Sequence, residues 1–320
     1  MSGAILLTGG FGYVGGRLAL ALKADGQDLR LTTRRRKEDF PSWSDGMAVV
    51  RTTANDDRER DSLCRGIDTI LHLAGANEIQ SATDPERAFL DTALATLQLL
   101  RAATRQKVRR FVYVSTAHVY GAPLQGRIDE TTLPRPTHPY AIAHKAAEDF
   151  VLAARDGGTL DGLVLRLSNG IGAPADAGID RWTLLGNDLC RQAVETGRLT
   201  LKSNGLQKRD FVALDDISRA TIHLLALPKE SWGDGLFNLG GGRSRSILDV
   251  AEIVADQAER ILGKRPVIDR PVASRGETAP ELDYRIDKLA GTGFRPSGDL
   301  ADELARALIL CRDAFSGPTR

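Results

Sequence analysis

Eight residues near the beginning of the chain, Thr8-Gly9-Gly10-Phe11-Gly12-Tyr13-Val14-Gly15, limit the fold more than any other stretch. They continue the apolar run Ala4–Leu7 and lead into a segment of helical period, which predicts a strand, a tight turn and a helix in that order. In such a turn Gly9 permits the bend, Gly12 lets the backbone come close to a ligand, and Gly15 lets helix and strand pack tightly. The free amides at the helix start favour an anion. The spacing and its place after the first strand predict that Gly9, Phe11, Gly12, Tyr13, Val14 and Gly15 surround the pyrophosphate of a dinucleotide.

The rest of the chain supplies the sheet that such a turn needs. Short apolar runs at Ala4–Thr8, Leu29–Thr33, Ala48–Arg51, Thr69–Leu73, Phe111–Ser115 and Leu163–Leu167 alternate with helical segments at Tyr13–Ala24, Asp61–Arg65, Pro85–Thr104 and Pro139–Ala154. Strands that carry nearly continuous apolar runs and are separated by helices predict a parallel sheet covered on both faces, with right-handed crossovers. In Pro85–Thr104 the residues Phe89, Leu90, Leu94, Leu97 and Leu100 recur at three and four, which predicts one buried stripe. After about Asn169 the loops lengthen, with helices at Ser246–Leu262 and Asp299–Phe315. The expectation is an α/β fold, a Rossmann-like doubly wound parallel sheet with a smaller C-terminal lobe. Residues 1–168 form the dinucleotide-binding part, 169–320 are mainly the substrate-binding lobe, and the chain crosses back over about 205–245.

Composition removes other classes of function. In 320 residues, 43 Lys and Arg balance 42 Asp and Glu, and this net charge of +1 concentrates neither nucleic acid nor an anionic membrane. The three cysteines, Cys64, Cys190 and Cys311, are too scattered for a disulfide framework or a zinc site. No window approaches the roughly 20 apolar residues of a membrane span, and the start of the chain carries no basic leader. The expectation is a cytoplasmic protein with no metal, no nucleic-acid partner and no membrane partner.

The cofactor can be read further. An acidic residue at the end of the second strand would bond the adenosine ribose hydroxyls, but the sequence there is Thr32-Thr33-Arg34-Arg35-Arg36. Guanidinium forks grip a 2′-phosphate, so NADP(H) is the preferred cofactor and NAD(H) the alternative, with Arg34 and Arg35 as clamps and Thr33 adding a hydroxyl. Asp56, after the third strand, is the candidate acceptor for the adenine amino group. Leu73-Ala74-Gly75 closes the fourth strand with small residues against which the cofactor can lie.

Two later motifs carry chemistry: Val114-Ser115-Thr116-Ala117-His118-Val119-Tyr120-Gly121 and Pro139-Tyr140-Ala141-Ile142-Ala143-His144-Lys145. Hydride transfer at a carbinol needs a group that takes or returns the hydroxyl proton, and a phenol whose pKa is pulled towards neutrality can do so. Tyr140 is that group, and Thr116 would hydrogen-bond the same oxygen. With the glycine turn, Arg166-Leu167-Ser168-Asn169, Lys208-Arg209-Asp210-Phe211-Val212 and Phe237-Asn238-Leu239-Gly240, the chain resembles the extended short-chain dehydrogenase/reductase family over essentially its whole length. The likeness is to the NAD(P)-dependent nucleotide-sugar epimerases, dehydratases and 4-ketoreductases. It implies a nucleotide-sugar substrate and a homodimer through Pro85–Thr104 and Pro139–Ala154. It also implies that Asn169, Arg209 and Arg275, together with Thr116, contact that substrate.

This sequence departs from the family's Tyr-x-x-x-Lys pattern, because His144 stands where the lysine would be. On a helix a residue at i+4 is rotated only about 40° from Tyr140, whereas one at i+5 is about 140° away. His144 is therefore expected to face the site and bond the nicotinamide ribose, and Lys145 is not. An imidazole is cationic only below about pH 6.5, so activation of the phenol would be weaker or would depend more on the nicotinamide charge. A second departure is Ala117-His118, where the 4,6-dehydratases of this family place an Asp-Glu pair, which speaks against dehydration. The leading expectation is a 4-keto-sugar reductase with Tyr140 as proton donor. The alternatives are an epimerase that retains its NAD(P) and a non-catalytic dinucleotide sensor of the same fold.

Overall fold

The computed structural model describes residues 3–274 and 276–315. In chain order the elements of the first half are β1 (Ala4–Thr8), α1 (Tyr13–Ala24), β2 (Leu29–Thr33), β3 (Ala48–Arg51), α2 (Asp57–Cys64), β4 (Ile67–His72), α3 (Glu78–Thr83), α4 (Pro85–Phe89), α5 (Ala95–Arg105), β5 (Arg110–Thr116), β6 (Gly126–Ile128), α6 (Pro139–Asp156) and β7 (Asp161–Leu167). The second half adds β8 (Asn169–Ile171), α7 (Leu185–Thr196), β9 (Arg198–Thr200), β10 (Lys208–Ala213), α8 (Leu214–Ala226), β11 (Leu236–Leu239), β12 (Ser244–Ser246), α9 (Ile247–Leu262), β13 (Val267–Asp269), β14 (Leu282–Tyr284), α10 (Asp287–Gly291) and α11 (Leu300–Phe315).

Seven parallel strands form the main sheet in the order β11-β7-β5-β4-β1-β2-β3. The order reverses between β1 and β4, and this doubly wound arrangement opens a crevice outside the carboxyl ends of those strands. One face of the sheet packs on α1 and α8 through Leu18, Leu22, Ile217 and Leu224, and the other packs on α5 and α6 through Leu99, Ala103, Ala147 and Val151. A separate core of α7, α9 and α11, with Leu189, Val250, Val254, Leu304 and Leu308, underlies the second half of the chain. β10 joins the two parts: it pairs with β8 in parallel and with β12 in antiparallel, and α8 then returns to the main sheet.

Several expected boundaries move, each for a local reason. The fourth strand runs Ile67–His72 rather than Thr69–Leu73. The short second helix begins at Asp57 rather than Asp61, because Asp56 Oδ1 accepts the Glu59 amide at 2.8 Å and caps the helix there. The long helix expected over Pro85–Thr104 is broken by a wide π turn at Leu90–Leu94. That extra residue per turn rotates the apolar stripe. Phe89 and Leu90 are exposed, at 43% and 47%, Leu94 and Leu97 are half-buried, Leu100 is buried as expected, and Thr92, Thr96 and Leu99 join it in the core.

Candidate active site

The glycine turn has the geometry its spacing predicts. Gly9 adopts φ +71°, and a Cβ on it would lie 2.8 Å from the backbone of Leu73 and Ala74. A Cβ on Gly15 would stand 2.1 Å from the Gly9 carbonyl, so the turn and α1 can close on each other only with glycine there. Gly12 caps α1 with no side chain, which leaves the first amides of the helix for an outside acceptor. Gly9, Gly12, Tyr13, Val14 and Gly15 line one wall of a cavity of about 590 Å³. An uncapped helix start beside glycines that no side chain could replace suits a pyrophosphate.

Other expected cofactor residues lie in different places. Leu73 and Gly75 line the cavity, and the Ala74 amide donates to Thr8 Oγ1 at 3.4 Å. The Phe11 ring turns into the core, edge-on to Phe40 and Trp43 at 5.4 and 5.3 Å. Thr33, Arg34, Arg35 and Asp56 stand outside the cavity wall. Thr33 Oγ1 accepts the Arg35 amide, the Arg35 guanidinium lies 5.7 Å from the Phe11 ring centroid, and Arg36 pairs with Glu38 and Asp39. Among the described residues Arg34 and Arg35 form no ion pair, whereas Asp56 is engaged in capping α2.

Thr116, Tyr140 and His144 all line this cavity. Thr116 ends β5. Tyr140 lies in the first turn of α6, where His138 is the N-cap and Pro139 the first helical residue. His144 sits one turn on, its ring 4.5 Å from that of Tyr140, and its Nδ1 is 2.7 Å from the Tyr113 hydroxyl. Lys145 is instead paired with Asp149 at the helix surface. Another turn on, Glu148 is fully buried and takes both the Arg166 guanidinium, at 2.7 Å, and the Ser115 hydroxyl, at 2.6 Å. That pair ties the helix carrying Tyr140 to the strand carrying Thr116.

Electrostatics at the phenol run against the expectation of a lowered pKa. Burial pushes Tyr140 well up, Glu78 adds to this, and Arg181 and the Thr116 hydroxyl oppose it. Burial also brings His144 down to about 4, so the imidazole is neutral and supplies no charge to the phenol. The cation that acts on Tyr140 among the described residues is Arg181, itself paired with Glu78 at 2.9 Å.

Of the residues expected to contact the substrate, Asn169 and Arg209 line the cavity, while Arg275 lies outside the described residues. The Asn169 amide donates to the Asp210 carbonyl at 2.9 Å and fixes β8 against β10. Arg209 has no ion-pair partner among the described residues, and burial holds its guanidinium below the usual value. The polar wall residues Asn77, Glu78 and Arg181 are not evident from the sequence, and His118 is evident there only as a departure from the dehydratase pair. The Asn77-x-x-Gln80 capping box, which starts α3, is the one local signal that could have pointed to the first two. His118 Nδ1 is buried without a partner among the described residues, and burial followed by the neighbouring His138 lowers its pKa.

The sequence and the fold are similar to those of known proteins. The family described as NAD dependent epimerase/dehydratase matches residues 5–240. A UDP-glucose 4-epimerase of Streptomyces lividans is 29% identical over 79% of this chain and 80% of its own length. A dTDP-glucose 4,6-dehydratase of Streptomyces griseus is 26% identical over 94% and 92%. The structure of a Thermus thermophilus UDP-glucose 4-epimerase in complex with NAD superposes with a TM-score of 0.80 at 24% identity, covering 97% of this chain and 99% of that one. The chain belongs to the NAD dependent epimerase/dehydratase family, and so to the extended short-chain dehydrogenase/reductase enzymes.

Proposed function

We propose that this enzyme oxidises or reduces a ring carbon of a nucleotide sugar, and that its primary reaction is epimerisation at C4. The observation that carries the reading is the meeting of Thr116, Tyr140 and the glycine turn on one cavity. When bound along the glycine turn, an NAD(P) cofactor would supply the hydride acceptor and donor. The chain's own residues do the rest. The Tyr140 oxygen exchanges the proton of the sugar hydroxyl, the Thr116 hydroxyl bonds the same oxygen, and His144 holds the nicotinamide ribose. Arg209, on the cavity wall and without an ion-pair partner among the described residues, is positioned to take the diphosphate of the substrate. Arg181, Thr183 and Arg209, from the second half of the chain, line the same cavity as the glycine turn.

A second reading, a 4-keto-sugar reductase that prefers NADPH, is favoured by two observations. Arg34 and Arg35 at the end of β2 suit a 2′-phosphate, and a phenol kept protonated by burial suits proton donation to a ketone. Dehydration is disfavoured because Ala117 and His118 stand where the 4,6-dehydratases of this family carry an Asp-Glu pair. The reactions separate in one experiment with the purified protein. An epimerase inverts C4 of UDP-glucose with no net change in the cofactor, whereas a reductase consumes NADPH only when given a 4-keto nucleotide sugar. Failure of both reactions across UDP, dTDP, GDP and CDP sugars contradicts the proposal.

The exposed apolar side chains Phe89, Leu90 and Ile142 lie on α4, on the turn after it and on α6. We propose that they form a homodimer face. Phe89→Glu with Ile142→Glu is expected to give a monomer by sedimentation, and an unchanged mass would contradict the assignment.

A further inference from the structure

We propose that Tyr113 is a positioning residue that holds His144 as its Nε2–H tautomer, so that a neutral donor, rather than an ammonium, meets the dinucleotide ribose. The inference rests on the reading that His144 faces that ribose. The Tyr113 side chain is buried in β5, and its hydroxyl has one partner among the described residues, His144 Nδ1 at 2.7 Å. Two assignments of the proton are open to this pair. If the imidazole donated from Nδ1, the phenol O–H would be buried with no acceptor, at a cost of about 1–3 kcal/mol. If the phenol donates, both groups are satisfied, and the imidazole proton is left on Nε2. The ring lines the cavity, and Nε2 is its one polar atom without a protein partner among the described residues.

The surroundings keep both members of the pair uncharged. Burial lowers the pKa of His144, the nearby His118 works in the same direction, and only Glu78 opposes them. Burial raises the pKa of Tyr113, with Glu148 and Tyr140 adding to it. The donor offered to the ribose hydroxyls is consequently fixed in direction and independent of pH across the neutral range. A lysine at this place would be a mobile cation. This donor carries no charge, and the phenol of Tyr140 gains nothing from it electrostatically.

The test reads the tautomer itself. In uniformly 15N-labelled protein without cofactor, His144 is identified by the ring-nitrogen signals lost in His144→Gln. The expected result is an unprotonated Nδ1 and a protonated Nε2, unchanged between about pH 8 and about pH 5. Tyr113→Phe should give a mixture of tautomers and weaken dinucleotide binding about ten-fold, with affinity for UDP unchanged. A protonated Nδ1 or a titrating imidazolium in the wild type overturns the proposal, as does a Tyr113→Phe spectrum identical to that of wild type. If Tyr113→Phe fails to fold, the wild-type spectrum decides alone. Since the tautomer is read without substrate, absence of turnover on any nucleotide sugar would count against the proposed function and leave this result intact.

Discussion

At Tyr140 the protein by itself resists forming the phenolate its chemistry needs, since burial and Glu78 both favour the protonated phenol. A neutral phenol can only give its proton to a keto sugar, so taking the proton of the sugar hydroxyl in the proposed epimerisation would depend on the positive charge of the bound nicotinamide lowering the pKa of Tyr140. Tyr140→Phe should lower turnover by about 10²–10⁴-fold with no change in the melting curve. The buried imidazoles make a second prediction, about stability. His72 and His144 are held down to about 3 and about 4, against 6.5 in the unfolded chain. Below pH 6.5 the unfolded chain takes up protons that the folded one refuses, so the urea midpoint should fall as pH drops from 6.5 towards 4. Asp210, pushed up to about 6 by burial, works in the other direction, and Asp210→Asn should make the acid loss steeper. Measuring urea unfolding of both proteins at several pH values checks the sign.

Between elements, the link that decides the site's precision joins α6 to β5 and β7. Glu148 is buried with Arg166 and also holds Ser115, the neighbour of Thr116. Removing one partner of such a pair strands a buried charge, so Glu148→Ala should cost about 3–5 kcal/mol in urea unfolding. At this scale it is also clear what the sequence could show. Tyr140, His144 and Glu148 are spaced by four, and helical geometry alone puts them on one face, with Lys145 turned away. The pairing of Glu78 with Arg181 joins residues 103 apart and leaves no local pattern to read. The π turn at Leu90–Leu94 was equally hidden, since one added residue leaves the spacing of apolar positions intact while turning Phe89 and Leu90 to the surface.

Across the whole molecule, two cores have to stay in register for the cavity to exist. Arg17 on α1 grips the Glu303 carboxylate of α11 with both of its terminal nitrogens, at 2.8 and 2.9 Å, and also pairs with Asp215. The Tyr13 hydroxyl donates to the Gly172 carbonyl at 2.8 Å, close to the same place. The glycine turn and the second core are thus fastened to each other at the start of α1. None of these partners can be paired from sequence, because each bond spans well over a hundred residues. Arg17→Met should destabilise the fold by several kcal/mol, as expected for an uncompensated buried Glu303, and separate the unfolding of the two cores in calorimetry. Everything at this scale depends on Tyr140, Thr116 and the glycine turn serving one reacting sugar. Proton NMR of UDP-glucose incubated with NAD and the purified protein tests that directly. Inversion at C4 by the wild type and a loss of about 10²–10⁴-fold in Tyr140→Phe are expected, and a variant that inverts C4 at the wild-type rate would contradict the claim.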